Sequence, residues 1–296
     1  MSNDIPKGKL IIIGGGITHN YNWTSRDIEL PENMATFETN LFRRILHESK
    51  DHLNTRIEIV TTASTIYEEV GKNHKAAFEC FGAKNVGVMH ILTRDEANSK
   101  VFLNRLKRAD MVMFTGGNQL RISSIIGGTR FHEILLEKYF NEDFIFVGTS
   151  AGAAAASAMM LYGPDDETLV KGMAKLTTGL GLTDKMIIDT HFIQRSRVSR
   201  LIHSVVSNPR MLGVGLDEDS GLIITDGNRM EAIGTHKVMI VDARGLKETN
   251  LTQVDNGQAL SINGLMVHIM SKYDVYYIRE KRLDIHNVPY MPHILN

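Results

Sequence analysis

A five-residue segment, Gly148-Thr-Ser-Ala-Gly152, matches the G-x-S-x-G pattern of a serine nucleophile. An apolar run at Phe144–Val147 precedes it and predicts a buried strand, and the small residues of Ala151–Met160 predict a helix after it. A sharp turn between a strand and a helix exposes the serine side chain, and only small neighbours fit such a turn. These flanking elements favour Ser150 as a nucleophile over a turn that serves packing alone.

A serine nucleophile needs a base and a group that orients the base. His191 follows one predicted apolar strand, and the acidic run Asp217–Asp219 follows another. Because the carboxyl ends of strands in a doubly wound sheet converge on one crevice, we expect these groups to meet Ser150. The resulting order of serine, histidine and acid differs from that of the α/β-hydrolases, which place the acid before the histidine. That fold is therefore disfavoured unless His236 or His268 is the base.

Two glycines, Gly116 and Gly117, end the strand predicted just before the nucleophile strand. Backbone amides at such a position can point at a developing oxyanion, together with the amide of Ala151. Removal of one such donor typically lowers a rate about 10²–10³-fold. A Gly-Gly pair after a strand is also a common turn, and both interpretations stay open.

Three arginines, Arg195, Arg197 and Arg200, closely follow His191. The pattern predicts a helix from about Gln194 to Val206, with Arg197 and Arg200 on one face and Arg195 near the helix start. Charged helix faces are usually only solvated. Beside a candidate catalytic histidine, guanidinium groups favour a substrate with carboxylates or a free carboxyl terminus, because they bind carboxylates bidentately.

The order and spacing of these segments resemble the cyanophycinases, in the serine peptidase family that also contains the aspartyl dipeptidase peptidase E. The resemblance covers about residues 10–242 and is carried by Gly14–Gly16, Phe114–Gln119, Gly148–Ala153, Asp189–Phe192 with the three arginines, and Gly215–Asp219. The chain departs from the family pattern at Asn118, where aspartate is common, and at Thr190, where glutamine is usual. Loss of that glutamine removes one amide that could contact the substrate.

The resemblance implies a three-layer α/β/α sandwich like that of class I glutamine amidotransferases, commonly as a homodimer. It implies Ser150 as nucleophile, His191 as base and Glu218 as the third member of a triad. The oxyanion is then held by the amides of Gly117 and Ala151. It also implies hydrolysis of cyanophycin, a poly-aspartate carrying arginine on each side-chain carboxyl, to β-aspartyl-arginine dipeptides. The substrate-binding residues predicted on this basis are Gln119, Asp189, Thr190, Arg195, Arg197 and Arg200.

Alternating strands and helices must position these groups. The strands predicted up to the serine are Leu10–Ile13, Ile57–Thr61, Val86–Leu92, Met111–Phe114 and Phe144–Val147. The helices predicted over that part are Met34–Glu48, Ile66–Phe81, about Val101–Lys107, Phe131–Tyr139 and Ala151–Met160. The later predicted strands are Met186–Ile188, Val214–Leu216, Leu222–Thr225, Met230–Ile233, Val238–Val241 and Val275–Ile278.

Continuously apolar strands separated by helices indicate a mostly parallel sheet covered on both faces. The closely spaced strands beyond Gly221 predict an antiparallel extension of that sheet. We therefore predict one α/β domain over residues 1–296, with a core at about 10–242 and a β-rich extension at about 243–296.

Composition narrows the classes of protein that fit. Lys and Arg number 33 and Asp and Glu 34, so the net charge of −1 disfavours binding to nucleic acid or to a membrane surface by charge. A single cysteine excludes an internal disulfide. No N-terminal apolar run reaches the length of a signal peptide, and no stretch approaches the roughly 20 residues of a spanning helix. We expect a cytoplasmic protein without nucleic-acid or membrane partners.

Two partial motifs do not predict a cofactor or a metal. Gly14–Gly16 follows a strand as in a dinucleotide-binding loop, but His19 stands where the third glycine belongs. His132-Glu133 begins a zinc-binding string, but Leu136 replaces its second histidine. Two other functions stay open, namely a peptidase of small Asp-containing or isoaspartyl peptides and a catalytically silent binding protein. The sequence also leaves open whether Glu218 or Asp217 orients His191.

Overall fold

The computed structural model describes residues 5–17, 41–163 and 168–286. The strands within these ranges are β1 (Lys9–Ile13), β2 (Arg56–Val60), β3 (Asn85–Met89), β4 (Met111–Phe114), β5 (Ile145–Thr149), β6 (Met159–Tyr162), β7 (Lys175–Thr178), β8 (Met186–Thr190), β9 (Leu212–Leu216), β10 (Ser220–Thr225), β11 (Arg229–Gly234), β12 (Val238–Asp242), β13 (Glu248–Thr249), β14 (Ile262–Asn263), β15 (Met266–Met270), β16 (Val275–Tyr277) and β17 (Arg282–Asp284). The α-helices are α1 (Leu41–His47), α2 (Tyr67–Cys80), α3 (Arg94–Ala97), α4 (Lys100–Arg108), α5 (Gln119–Ile126), α6 (Arg130–Asn141), α7 (Ala151–Ala155) and α8 (Val198–Ser207).

A nine-stranded sheet has the order β17-β16-β11-β10-β1-β5-β4-β2-β3. On one side of β1, the neighbouring strands β1-β5-β4-β2-β3 pair in parallel. On its other side, the neighbouring strands β1-β10-β11-β16-β17 pair in antiparallel fashion. The predicted α/β class and the antiparallel extension are thus confirmed. The sheet is mixed, with as many antiparallel as parallel pairings, because four strands extend it beyond β1.

Both faces of this sheet are covered, as the alternation along β1 illustrates. Leu10 and Ile12 point to one core, where they meet apolar residues of α4, α5 and α6. Ile11 and Ile13 point to the opposite core, which α1 and α2 cover. Successive side chains of a strand point to opposite faces, so a strand buried on both faces is apolar throughout. This arrangement places helices on both sides of the sheet.

A second sheet has the order β15-β12-β9-β8. The prediction that β12 extends the first sheet is therefore wrong, since β12 pairs with β9 and β15. Glycines in β9 explain how the second sheet is covered. A Cβ atom at Gly213 would lie 2.8 Å from a methyl group of Val205 in α8, and one at Gly215 would lie 2.5 Å from the ring of Phe192. Side chains lie directly on the strand backbone there.

The small-residue helix was predicted to reach Met160, but it ends at Ala155, and β6 follows it. The carbonyl groups of Ala155 and Ala156 accept hydrogen bonds from the amides of Leu180 and Leu182, at 2.7 and 2.9 Å. These long-range partners replace the amides of the next helical turn. Sequence periodicity does not register such a competition.

The helix predicted from Gln194 begins only at Val198. Tight turns occupy the preceding segment, where the amide of Arg195 donates to the carbonyl of His191 and that of Arg197 to Phe192, both at 2.9 Å. Arg195 therefore lies in a turn, and Arg197 occupies the position just before the first helical residue.

Helix α5 was not predicted. It begins after Asn118, whose side chain accepts a hydrogen bond from the amide of Leu120 at 2.9 Å, and its buried residues Ile122 and Ile126 are the helical signal that could have revealed it. Residues 34–40 of the predicted first helix, and His19, lie outside the described residues. Across the described ranges, no helix combines the length and the apolar character needed to cross a bilayer.

Candidate active site

Ser150 lies at the turn between β5 and α7 with φ 50° and ψ −113°. A non-glycine residue in this region is strained by about 1–3 kcal/mol, a feature typical of functional sites. The flanking glycines are required by close packing. A Cβ atom at Gly148 would lie 2.5 Å from the carbonyl oxygen of Gly152, and one at Gly152 would lie 2.2 Å from that of Phe114. The motif thus places a serine at the end of the strand, and the positions two residues before and after it have room for glycine only.

A line of hydrogen bonds joins Ser150, His191 and Glu218. The Oγ atom of Ser150 lies 2.8 Å from Nε2 of His191, and Nδ1 of His191 lies 2.6 Å from Oε1 of Glu218. Because a carboxylate only accepts hydrogen bonds, Nδ1 carries the ring proton. Nε2 then presents its lone pair to the serine hydroxyl, as a general base requires.

The geometry brings Glu218, and not Asp217, to the histidine. Oδ1 of Asp217 instead accepts a hydrogen bond from the amide of Ile193 at 3.2 Å. His236 and His268, the alternative bases, are not among the described residues that line the cavity around Ser150. Their placement gives no support to an α/β-hydrolase arrangement.

The glycine loop after β1 supports the histidine and the acid. The carbonyl group of Gly14 accepts a hydrogen bond from the amide of His191 at 3.0 Å, and that of Gly15 from the amide of Asp219 at 2.9 Å. Gly15 has φ 118°, and a Cβ atom on it would lie 2.3 Å from Cε1 of the His191 ring. The loop thereby joins β8 and β9 of the second sheet to β1 of the first. Sequence reasoning did not find this role.

Replacement of Gly15 by alanine should lower kcat about 100-fold while the protein still folds, because a displacement of about 1 Å in a catalytic group has an effect of that size. The added methyl group overlaps the His191 ring. Gly257→Ala is the matched control, since it also has positive φ (88°) but has no atom within 4 Å of the added carbon. Equal losses of activity in the two variants would contradict a role for Gly15 in positioning the ring.

The environment of His191 keeps its imidazole neutral. Burial lowers the pKa of this histidine below its ordinary value, and the hydrogen bond that its Nδ1 donates to Glu218 opposes that shift only in part. The positive charges of Arg195 and Arg197 lower it further. A histidine with a lowered pKa is unprotonated near neutral pH and can accept a proton.

Two glycines, Gly116 and Gly117, leave the backbone near Ser150 without side chains. A Cβ atom at Gly116 would lie 3.3 Å from Cβ of Ser150, and one at Gly117 would lie 2.2 Å from the carbonyl oxygen of Ala63. Gly117 has φ 138°, which favours glycine. Gly117 and Ala151, whose amides are the predicted oxyanion donors, both line the cavity around Ser150.

The cavity over Ser150 has a volume of about 510 Å³, within the usual range for small-molecule sites. Five of the predicted substrate-binding residues line it, namely Gln119, Asp189, Thr190, Arg195 and Arg197. Gln119 also donates a hydrogen bond to the carbonyl of Leu161 at 3.1 Å. Among the described residues, no group of three or more His, Cys, Asp or Glu side chains is arranged to hold a metal ion.

Arg200 differs from the expectation that it faces the substrate. Its side chain is 2% exposed and does not line the cavity. Its Nε and Nη2 atoms donate to the two oxygens of Asp189, at 2.6 and 2.5 Å. Arg197 donates to the carbonyl group of Thr190 at 2.7 Å, while Arg195 is exposed at the cavity mouth. Arg200 thus binds Asp189, which lines the cavity, from the side that faces away from the cavity.

Comparisons with known proteins place this geometry in a family. The model of peptidase family S51 matches residues 31–232. A protein named cyanophycinase from Synechococcus elongatus is 32% identical over 228 residues, which cover 77% of this chain and 71% of that protein. A cyanophycinase from Trichormus variabilis is 32% identical over 226 residues, 76% of each chain. The crystal structure of a peptidase from an acI-B1 Actinobacterium has a TM-score of 0.59 at 18% identity, over 81% of this chain and 93% of that chain, and it supports the α/β fold. This chain is a serine peptidase that belongs to family S51.

Proposed function

We propose that this peptidase hydrolyses cyanophycin to β-aspartyl-arginine dipeptides through an acyl-enzyme formed on Ser150. The observation that carries the proposal is the hydrogen-bonded line from Ser150 to Glu218, which lies at a cavity walled by arginine side chains. The relatives named cyanophycinase supply the identity of the substrate. Because the hydrogen bonds between Ser150, His191 and Glu218 are all present, a catalytically silent binding protein is disfavoured.

The first half of the reaction forms the acyl-enzyme. Oγ of Ser150 attacks an aspartyl peptide carbonyl as Nε2 of His191 accepts the hydroxyl proton. Glu218 accepts the hydrogen bond from Nδ1 and so stabilises the imidazolium. The amides of Gly117 and Ala151 donate to the oxyanion of the tetrahedral intermediate.

The second half releases the products. The imidazolium of His191 donates its proton to the leaving amine, the carbon–nitrogen bond breaks, and an ester to Ser150 remains. Water then attacks this ester while Nε2 accepts a proton, and collapse of the second tetrahedral intermediate returns that proton to Oγ. The free carboxyl product leaves the enzyme in its starting state.

The positive wall of the cavity selects a carboxylate-rich substrate. Asp189 carries one negative charge, and the guanidinium groups of Arg197 and Arg200 both contact it. Its charge is therefore more than compensated. Arg195, exposed at the mouth, adds a further positive charge. A carboxylate of the substrate is attracted to this wall because guanidinium groups pair with it in a bidentate geometry.

The test is incubation of the purified protein with insoluble cyanophycin and, separately, with α- and β-aspartyl dipeptides. We expect release of β-aspartyl-arginine by the wild type and none by Ser150→Ala. Cleavage of dipeptides without release from the polymer would instead establish the second candidate, a peptidase of small aspartyl peptides. Activity that survives in Ser150→Ala would overturn the mechanism.

The second candidate is favoured by one observation, the buried threonine that ends β8 in the cavity wall. Thr190 is 4% exposed and lines the cavity, where the family pattern has glutamine. Restoring the amide with Thr190→Gln should raise kcat/KM for cyanophycin about 2- to 10-fold, the worth of one net hydrogen bond. Thr190→Val, which keeps the shape and removes the hydroxyl, is the control. A gain in both variants would contradict the proposed contact.

The pH dependence of the reaction should respond to Arg195. Its positive charge lowers the pKa of His191, so Arg195→Ala raises that pKa. The inactive imidazolium then persists to higher pH, and the acidic limb of the kcat/KM profile moves to higher pH. Arg195→Lys, which keeps the charge, should leave the limb in place. A shift to lower pH in Arg195→Ala would contradict the assignment of His191 as the base.

We also propose that the protein is a cytoplasmic homodimer. The resemblance to the family supports the dimer, and the single cysteine, which suits a reducing compartment, supports the location. Light scattering after size-exclusion chromatography measures the first, and fractionation of the source cells measures the second.

A further inference from the structure

A second cleft, larger than the catalytic one, lies at the opposite end of the strands. Its volume is about 830 Å³, and its lining includes Leu10 near the start of β1 and Met186 at the start of β8. Ser150 follows the far end of β5, which pairs with β1, and His191 follows the far end of β8. The apolar part of its wall includes Ile5, Pro6, Leu10, Tyr139, Phe140 and Ile278. The site at Ser150 makes no use of this cleft.

Cations dominate the charged residues of this cleft. Lys185, Arg244 and Arg279 line it, against a single lining carboxylate, Asp184. The guanidinium group of Arg244 is neutralised by Asp242, with Nη2 lying 2.6 Å from Oδ2. Lys185 and Arg279 form no such ion pair within the described ranges, and the carboxylates of Asp184 and Glu280 act on them only from a longer distance.

Neutral carbonyl groups hold Lys185 and Arg279 instead. The turn between β10 and β11 has two consecutive residues with positive φ, Asp226 at 54° and Gly227 at 52°, as in a type I′ hairpin turn. Nζ of Lys185 donates to the carbonyl of Gly227 at 2.8 Å, and Nη2 of Arg279 donates to that of Asp226 at 3.4 Å. The tight turn therefore holds two positive groups side by side at the edge of the cleft.

Lys185 is partly buried at the edge of the cleft, whereas Arg279 is exposed to solvent. Burial lowers the pKa of Lys185, and the charge of Arg279 lowers it further, while Asp184 opposes the shift only weakly. Repulsion between like charges is relieved when an anion binds between them. A carboxylate at this point would accept hydrogen bonds from both groups.

We propose that this cleft binds a small organic anion that carries a carboxylate on an apolar body. Lys185 and Arg279 bind the carboxylate, and the side chains around Tyr139, Phe140 and Ile278 contact the apolar part. A free oxyanion such as phosphate shares the first interaction but not the second. This site is separate from the catalytic cavity and does not depend on the substrate proposed above.

The probe is hippurate, which joins a carboxylate to a phenyl ring, titrated into the full-length Ser150→Ala protein by calorimetry. We expect saturable binding that Lys185→Gln and Arg279→Gln each weaken at least tenfold. Lys185→Arg, which keeps the charge, should retain binding. Lys72→Gln, at an exposed lysine of α2, is the matched control and should bind like the parent protein. Urea unfolding of each variant verifies that the fold is intact.

Two comparison ligands make the test decisive. Benzamide has the ring without the carboxylate and should bind at least tenfold more weakly than hippurate. Inorganic phosphate has charge without an apolar body and should compete poorly. Binding of hippurate that is unchanged in both Lys185→Gln and Arg279→Gln would overturn the site, and phosphate binding as tight as that of hippurate would overturn the apolar part of the proposal.

Discussion

Replacement of Glu218 by glutamine should lower kcat about 10⁴-fold with little change in KM, a loss typical of a triad whose acid becomes an amide. An amide in place of the carboxylate can donate to Nδ1 of His191, which shifts the ring proton to Nε2. The lone pair that must accept the proton of Ser150 is then lost. Steady-state kinetics on an aspartyl peptide substrate measures the effect.

The neighbouring carboxylate provides the control. Asp217→Asn keeps an oxygen that can accept from the amide of Ile193, and we expect its kcat to stay within a few-fold of the wild type. The two substitutions make the same chemical change one residue apart. A loss in Asp217→Asn as large as that in Glu218→Gln would show that the acid has been assigned to the wrong residue.

Replacement of Arg200 by methionine should lower the free energy of unfolding by about 3 kcal/mol. The change leaves the carboxylate of Asp189 buried without its bidentate partner, and such losses are typically 3–5 kcal/mol. We expect the lower end of that range because Arg197 and the amide of Thr190 still contact the carboxylate, at 3.4 and 2.9 Å. Urea unfolding monitored by circular dichroism measures the change.

A double variant and an exposed ion pair complete the experiment. Asp189→Asn combined with Arg200→Met should be less destabilised than Arg200→Met alone, because no unpaired charge stays buried. Arg130→Met breaks a pair with Glu133 in which the side chains are 54% and 59% exposed, and it should change stability far less than Arg200→Met does. Equal effects of Arg130→Met and Arg200→Met would contradict a structural role for the buried pair.

Much of the fold follows from local pattern. Most of the predicted strands lie within one or two residues of their predicted positions because they are buried on both faces and hence apolar throughout, whereas the more exposed β3 ends at Met89 rather than at the predicted Leu92. Ser150 was identifiable for a similar reason, since only glycine fits the contacts made at Gly148 and Gly152. Burial and tight turns restrict which residue types can occupy a position, so they can be inferred from the sequence without knowledge of the segments that pack there.

The choice among neighbours could not be inferred in this way. Asp217, Glu218 and Asp219 are adjacent acids, and the turn that brings Glu218 to the histidine has Asp219 at φ 50° and bonded to the carbonyl of Gly15. That turn depends on a loop some 200 residues away in the chain. Local pattern contains no record of such a contact.

The sequence by itself determined the α/β class, and it predicted Ser150 as the candidate nucleophile with a set of charged residues around it, because each of these follows from residue type and spacing. Only the tertiary structure decided that β12 belongs to a second sheet, that Arg200 holds Asp189 rather than facing the cavity, and that Gly15 supports the ring of His191. These outcomes depend on which distant segments pack together. Pairing between strands and burial of an ion pair are properties of two segments at once, and neither segment alone specifies its partner.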